Sequence, residues 1–114
     1  MKRYSQIKKE EKTKSIIQKF KEEILSAVTE FDTSRPSDQQ ILRISIASEL
    51  SAINLYQELA ALTDDPNLKK VILDITKEEK THISEFETML LRIDDEQIIE
   101  NLNGKKEVED LIGN

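Results

Sequence analysis

Three residues of this 114-residue chain have the types and spacing to hold a transition metal: Glu49, Glu79 and His82. Glu79 and His82 form Glu-x-x-His, an i, i+3 pair that sets a carboxylate and an imidazole side by side on one helix face. So short a motif often arises by chance, and its surroundings carry the argument. On a helical wheel of about 100° per residue, the face within roughly 60° of Glu79 also holds Leu68, Ile72, Ile75, Ile83, Phe86, Leu90 and Ile93. The face centred on Glu49 holds Leu42, Ile46, Ala52, Ile53, Tyr56 and Ala60. Each carboxylate therefore sits inside an apolar stripe. Burying an ionised carboxylate without a partner costs several kcal/mol, so a cation, a proton or a metal must compensate it. Arg43, Lys69, Lys70, Lys77, Lys80 and Arg92 all fall off both stripes, which disfavours internal salt bridges.

The two stripes flank Thr63-Asp64-Asp65-Pro66-Asn67, a run of polar residues around a proline that reads as a turn. Glu49 lies 16 residues before Asp65 and Glu79 lies 14 after it. At about 1.5 Å per residue both stand roughly 21–24 Å from the turn. An antiparallel hairpin thus brings Glu49, Glu79 and His82 to one level as a metal half-site. A two-metal carboxylate site in a four-helix bundle takes one Glu from each of two helices and Glu-x-x-His from each of the other two. Two copies related by a two-fold axis would supply four glutamates and two histidines. Hard carboxylates with imidazole suit iron or manganese.

Neighbouring residues admit two readings each. Taken alone, His82 reads as a core histidine held by hydrogen bonds; with the two glutamates it reads as a ligand. Glu78, one turn before His82 and about 40° from it on the wheel, either accepts the imidazole N–H or is a surface glutamate. Tyr56, two turns beyond Glu49, is either a packed phenol with a hydrogen-bonded hydroxyl or a redox-active neighbour of the metal. Ser45 is expected to bond its own helix backbone.

The remaining composition narrows the class. Two glycines, two prolines and 35% charged residues argue for helices with short connections in one small domain. A net charge of -6 disfavours nucleic acid and anionic membranes as partners. No cysteine means no disulfide, thiolate metal site or Cys-ligated cluster. With no apolar leader after Met1 and no run of 18 apolar residues, a cytoplasmic chain is expected.

Residues 1–15, rich in Lys, Glu and Gln, are expected to fray or lack structure. Ile17, Phe20, Ile24, Val28 and Phe31 then form the stripe of a packing helix that ends in Asp32-Thr33-Ser34-Arg35-Pro36. Ser37 with Gln40 reads as a capping box opening a helix over 38–63, and a second helix is expected over 66–93. A further row on the first helix, Ile41, Ile44, Leu55, Leu59 and Leu62, needs the N-terminal helix or other chains to cover it. Asp94-Asp95-Glu96 restarts a helix, Gly104 reads as its stop, and 105–112 as one more short helix. The chain thus divides into a charged segment and packing helix (1–36), the hairpin (37–93) and a helical tail (94–114). The expected fold is all-α: a two-helix hairpin that dimerises into a four-helix bundle.

Ile46-Ala47-Ser48-Glu49-Leu50-Ser51-Ala52-Ile53-Asn54-Leu55-Tyr56, followed by Lys77-Glu78-Glu79-Lys80-Thr81-His82, resembles the encapsulated ferritins. It is especially similar to the archaeal ferritin-like segment fused to encapsulin shell proteins, over roughly residues 38–112. The resemblance implies ferritin-like hairpins that dimerise to complete a di-iron ferroxidase centre, with iron shared between two chains. It implies Glu49 as first-helix ligand, Glu79 as bridging carboxylate, His82 as nitrogen ligand and Tyr56 as the tyrosine near the site. It further implies homodimers joined in an open ring of ten chains, an encapsulin shell partner, and iron stored inside the nanocompartment. Acidic residues that flank the first ligand in some members are Ser48 and Ser51 here, and a tryptophan before the tyrosine is Leu55. The competing functions are a rubrerythrin-like peroxidase and a non-enzymatic oligomerisation or cargo module stabilised by a structural ion such as zinc.

Overall fold

Ser37 starts the hairpin with the reciprocal bonds of a capping box. Its Oγ accepts from the Gln40 backbone N–H at 3.1 Å, and Gln40 Oε1 accepts from the Ser37 backbone N–H at 2.9 Å. These satisfy two donors that a helix start leaves unpaired, and α2 (Asp38–Leu62) follows. α2 stops where Thr63 turns extended and its Oγ1 accepts from the Asp65 backbone N–H. Asp65 caps α3 (Pro66–Leu91) by accepting from the Asn67 backbone N–H at 2.9 Å, with Pro66 in the first turn. There its missing N–H costs nothing.

The computed structural model describes residues 3–29 and 36–114. Among them every element is a helix, with α1 spanning Tyr4–Thr29 and α4 spanning Asp95–Ile112. α2 and α3 run antiparallel, since the first turns of α2 meet the far end of α3: Gln39 Nε2 donates to the Ile93 carbonyl at 2.9 Å. Between them Ile53, Ala60, Thr76 and Leu90 are buried, and Thr76 returns its hydroxyl proton to the Ile72 carbonyl. α1 packs on α2. Its buried Ile16 and half-buried Phe20 face Ser51, Asn54 and Leu55, on the side of α2 turned away from Glu49. The N-terminal helix therefore covers part of the second apolar row.

Two expectations need correction. The charged N-terminal stretch is helical from Tyr4, because Lys, Glu and Gln are good helix formers. Gln6 Oε1 accepts from the Arg3 backbone N–H, and Lys8 Nζ lies 5.5 Å from the Tyr4 ring centre. Gly104 does not stop α4, so the tail is one helix and not two. A single interior glycine costs only about 1 kcal/mol, and Lys105–Glu109 and Lys106–Asp110 pair one turn apart beyond it. The stop falls at Gly113, whose φ of 84° suits glycine and whose N–H donates to the Glu109 carbonyl at 2.8 Å. The expected helix ends at 63 and 93 shorten to 62 and 91. The Val28 side chain, Phe31 and the stretch from Asp32 to Arg35 lie outside the described residues.

At the far end of α3 an ion pair sets the elbow into α4. Asp94 is buried; its Oδ1 accepts from the Gln97 backbone N–H at 3.1 Å and its Oδ2 from Arg43 at 2.8 Å. Beyond this elbow no α4 residue is buried. A Cβ at Gly104 would meet no atom within 4 Å beyond its chain neighbours and the backbone of its own helix. Gly104→Ala should therefore stabilise the protein by about 0.5–1 kcal/mol through lower unfolded-state entropy, read as a raised denaturation midpoint. A lowered midpoint would mean the α4 backbone does not run straight through Gly104.

Candidate metal centre

The hairpin register places the three ligand candidates together. α2 contributes Glu49 ten residues beyond Gln39, and α3 contributes Glu79 and His82 at the matching level. One donor atom from each lies within 4.8 Å of the other two. The imidazole turns Nδ1 toward both acids, 3.7 Å from Glu49 Oε2 and 3.5 Å from Glu79 Oε2. These separations exceed ordinary hydrogen bonds of about 2.7–3.2 Å. They match two atoms sharing one ion: ligands at about 2.1 Å, subtending about 110–120°, stand roughly 3.5 Å apart.

Burial is uneven across the group. The side chains of Glu49 and Glu79 are 21% and 16% exposed, whereas His82 is 46% exposed. No Lys or Arg pairs with either glutamate among the described residues, and Arg43 is engaged at Asp94. Two carboxylates and an imidazole are suitable donors for a divalent first-row ion. Three donors of this kind would leave coordination positions free on the side where His82 is exposed.

That side has a distinct surface. α3 buries Thr76 and Leu90 against α2, while Val71 and Met89 are exposed. At about 100° per residue, Val71, His82 and Met89 fall within about 20° of one another. Leu68 is exposed about 40° further round. An apolar strip thus runs along the helix on both sides of the imidazole. Sequence reasoning passed over Val71 and Met89 because both lie just outside the stripe centred on Glu79. The available signal was a set of apolar residues extending that stripe toward His82 and away from Thr76.

The neighbouring candidates stand apart from the three. Glu78 is exposed and, among the described residues, makes neither hydrogen bond nor ion pair to His82. Tyr56 is half-buried on the same face of α2 as Glu49, and its hydroxyl has no hydrogen bond among the described residues. Ser45 donates to the Ile41 carbonyl at 2.8 Å, as expected for a helical serine. Ser51 faces α1.

Over residues 40–110 the sequence matches the rubrerythrin family. The chain belongs to that family. Rubrerythrin and ferritin-like proteins typically bind iron, and Glu49, Glu79 and His82 form a donor group able to hold such an ion. The chain is 46% identical over 74 residues to the ferritin-like-encapsulin shell fusion protein of Pyrococcus furiosus. That stretch is 65% of this chain and 21% of the relative. It is 36% identical over 56 residues to the encapsulin nanocompartment cargo protein EncC of Myxococcus xanthus, covering 49% of this chain and 43% of that one. The chain thus spans about a fifth to under half of the length of these relatives. The fold is similar to the crystal structure of the encapsulated ferritin domain from Pyrococcus furiosus. Its TM-score is 0.65 at 45% identity, over 67% of this chain and 78% of that one. The fold is therefore ferritin-like, and α1 lies outside the stretch matched to the rubrerythrin family.

Titration of the apo protein with Co(II), as a spectroscopic stand-in for Fe(II), should give binding that Glu79→Ala and His82→Ala each weaken at least tenfold. Glu49→Ala should retain weaker binding through the other two donors. Far-UV helicity should stay close to wild type in all three, since no helix cap or buried apolar contact is removed. Unchanged affinity in any two of the variants would mean that these residues are not the ligands.

Proposed function

We propose that two copies of this chain close against each other at the open flank of α3 and form a ferroxidase. The observation that carries this reading is an incomplete ligand set on an apolar edge. Glu49, Glu79 and His82 converge, and His82 stands exposed between Val71 and Met89. An exposed apolar strip of this kind calls for a partner surface. A two-fold axis beside His82 would bury that strip and bring four glutamates and two histidines around two metal positions. Comparisons with ferritin-like and rubrerythrin relatives support iron as the metal.

In this reading Fe(II) is the substrate. Each Fe(II) gives up one electron; a pair of electrons with two protons reduces dioxygen to hydrogen peroxide, or hydrogen peroxide to two waters. Glu79 would be shared between the two metal positions, Glu49 would hold one of them, and His82 would offer Nδ1, the nitrogen already turned toward both acids. Carboxylates are hard and anionic, so they favour the ferric product over the ferrous substrate. Their partial burial strengthens that preference, because charges interact more strongly away from bulk water. The apolar residues around them limit water access to the site. The oxidised iron would be mineralised within an encapsulin compartment, a reading that the similarity to an encapsulin shell fusion protein and an encapsulin cargo protein supports.

Metal and association should be linked. Loading dilute apo protein anaerobically with Fe(II) should shift sedimentation toward a species of twice the mass, at a concentration too low for metal-independent association. It should also stabilise the fold by about 2.7 kcal/mol when free metal is a hundred times Kd. Admitting oxygen, or adding peroxide, should then oxidise the iron faster than in protein-free solution, with His82→Ala near the protein-free rate. Turnover with peroxide alone would favour a peroxidase, and metal-stabilised association without turnover a structural module. A monomer that binds one metal per chain without associating would refute the shared site.

A further inference from the structure

α4 leaves the hairpin with little to pack on. Asp94, held between Arg43 and the Gln97 backbone N–H, fixes its direction, and the Gln39–Ile93 bond holds the same elbow to α2. From there, among the described residues, α4 packs only against the end of α3 and does not touch α1. Charge is segregated between these two helices. Residues 3–14 carry five basic and two acidic side chains, and residues 95–112 carry six acidic and two basic.

The segregation has a register. On α4, Glu96, Glu100 and Glu107 stand at i, i+4 and i+11, exposed within about 40° of one another. On α1, Lys8, Lys12 and Lys19 repeat the same spacing and the same width, also exposed. This basic row lies about 80° from the side that Ile16 and Phe20 turn to α2; Lys8 and Lys12 stand clear of α2, while Lys19, exposed, borders the α2 groove beside Asn54 and Glu58. Among the described residues Lys12, Lys19, Glu96 and Glu107 make no ion pair. Exposed Ile99 and Leu111 border the acidic row, and exposed Tyr4 borders the basic one.

We propose that α4 docks along the basic row of α1 in a second copy of this chain. The helices run parallel, setting Glu96, Glu100 and Glu107 opposite Lys8, Lys12 and Lys19 over about 17 Å. An antiparallel arrangement reverses the spacing and leaves Asn103 opposite Lys12. Exposed ion pairs contribute little affinity and are screened by salt, so here they select partner and register. Burial of Ile99, Leu111 and Tyr4 supplies the attraction. The docking is intermolecular because α1 lies on α2 while the elbow directs α4 away from the end of α3. It does not depend on the metal reading, since none of its residues is a ligand candidate.

The test uses full-length protein in chelator, where a shared metal contributes nothing. Copies labelled with 14N and 15N are mixed while dilute, then concentrated and treated with a carbodiimide. Mixed-isotope crosslinks joining Lys12 to Glu100 and Lys8 to Glu96 are expected; same-isotope crosslinks alone, or none, overturn the proposal. Lys12→Glu and Glu100→Lys, both on exposed positions, should each weaken self-association at low salt at least fivefold. The double swap should restore it to within twofold, and unchanged association in both single variants would also overturn the proposal.

Discussion

Two carboxylates set into the seam of a helical hairpin, with no lysine or arginine among the described residues to meet them, are the constraint around which this molecule is arranged. Glu49 and Glu79 are mostly removed from solvent, yet their one basic neighbour among the described residues is His82, beyond hydrogen-bond reach. Such a pair lowers the stability of the metal-free chain through desolvation and mutual repulsion. A hydrocarbon pair of similar volume would pack better. Retention of acids here makes sense if the stable form contains a cation, and the geometry around Nδ1 has the dimensions of a shared ion.

The rest of the chain keeps that pair in register. The Ser37 box and the Asp65 cap fix where α2 and α3 begin, and Thr63 fixes where α2 stops. At the opposite end Gln39 and Arg43 hold α2 to the elbow beyond α3. α1 covers the far side of α2, around Leu55, and leaves the edge near His82 open. One face of the hairpin is thus closed within the chain and another stays exposed.

Much of this was legible in the sequence because it is local. Helical periodicity, a Ser-x-x-Gln box and a proline turn all act within a few residues, and equal distances from that turn bring Glu49 level with Glu79. Other features have no local signature. The Arg43–Asp94 pair joins residues 51 positions apart, and nothing near either one announces it. Asp94 read merely as an acid favoured at a helix start. Gly104 and Gly113 look alike as letters; the difference is that the first keeps helical neighbours on both sides and the second adopts positive φ. The N-terminal stretch misled because charge density resembles disorder, although the same residues are good helix formers.

The turn at Thr63–Asp65 acts as the fulcrum of two arms. At about 1.5 Å per residue the candidate ligands sit over 20 Å out along each arm. A hinge of about 5° at the turn, if packing did not resist it, would separate them by roughly 2 Å, the length of a metal–ligand bond. The arms also carry an indexing rule. One residue inserted between Glu49 and the turn would advance that glutamate by about 1.5 Å and swing it by about 100°. It would leave the site altogether, whereas residues added within the loop itself would leave both arms in step. Length changes in this hairpin are therefore expected at the loop, and the arms behave as a ruler whose zero mark is Asp65.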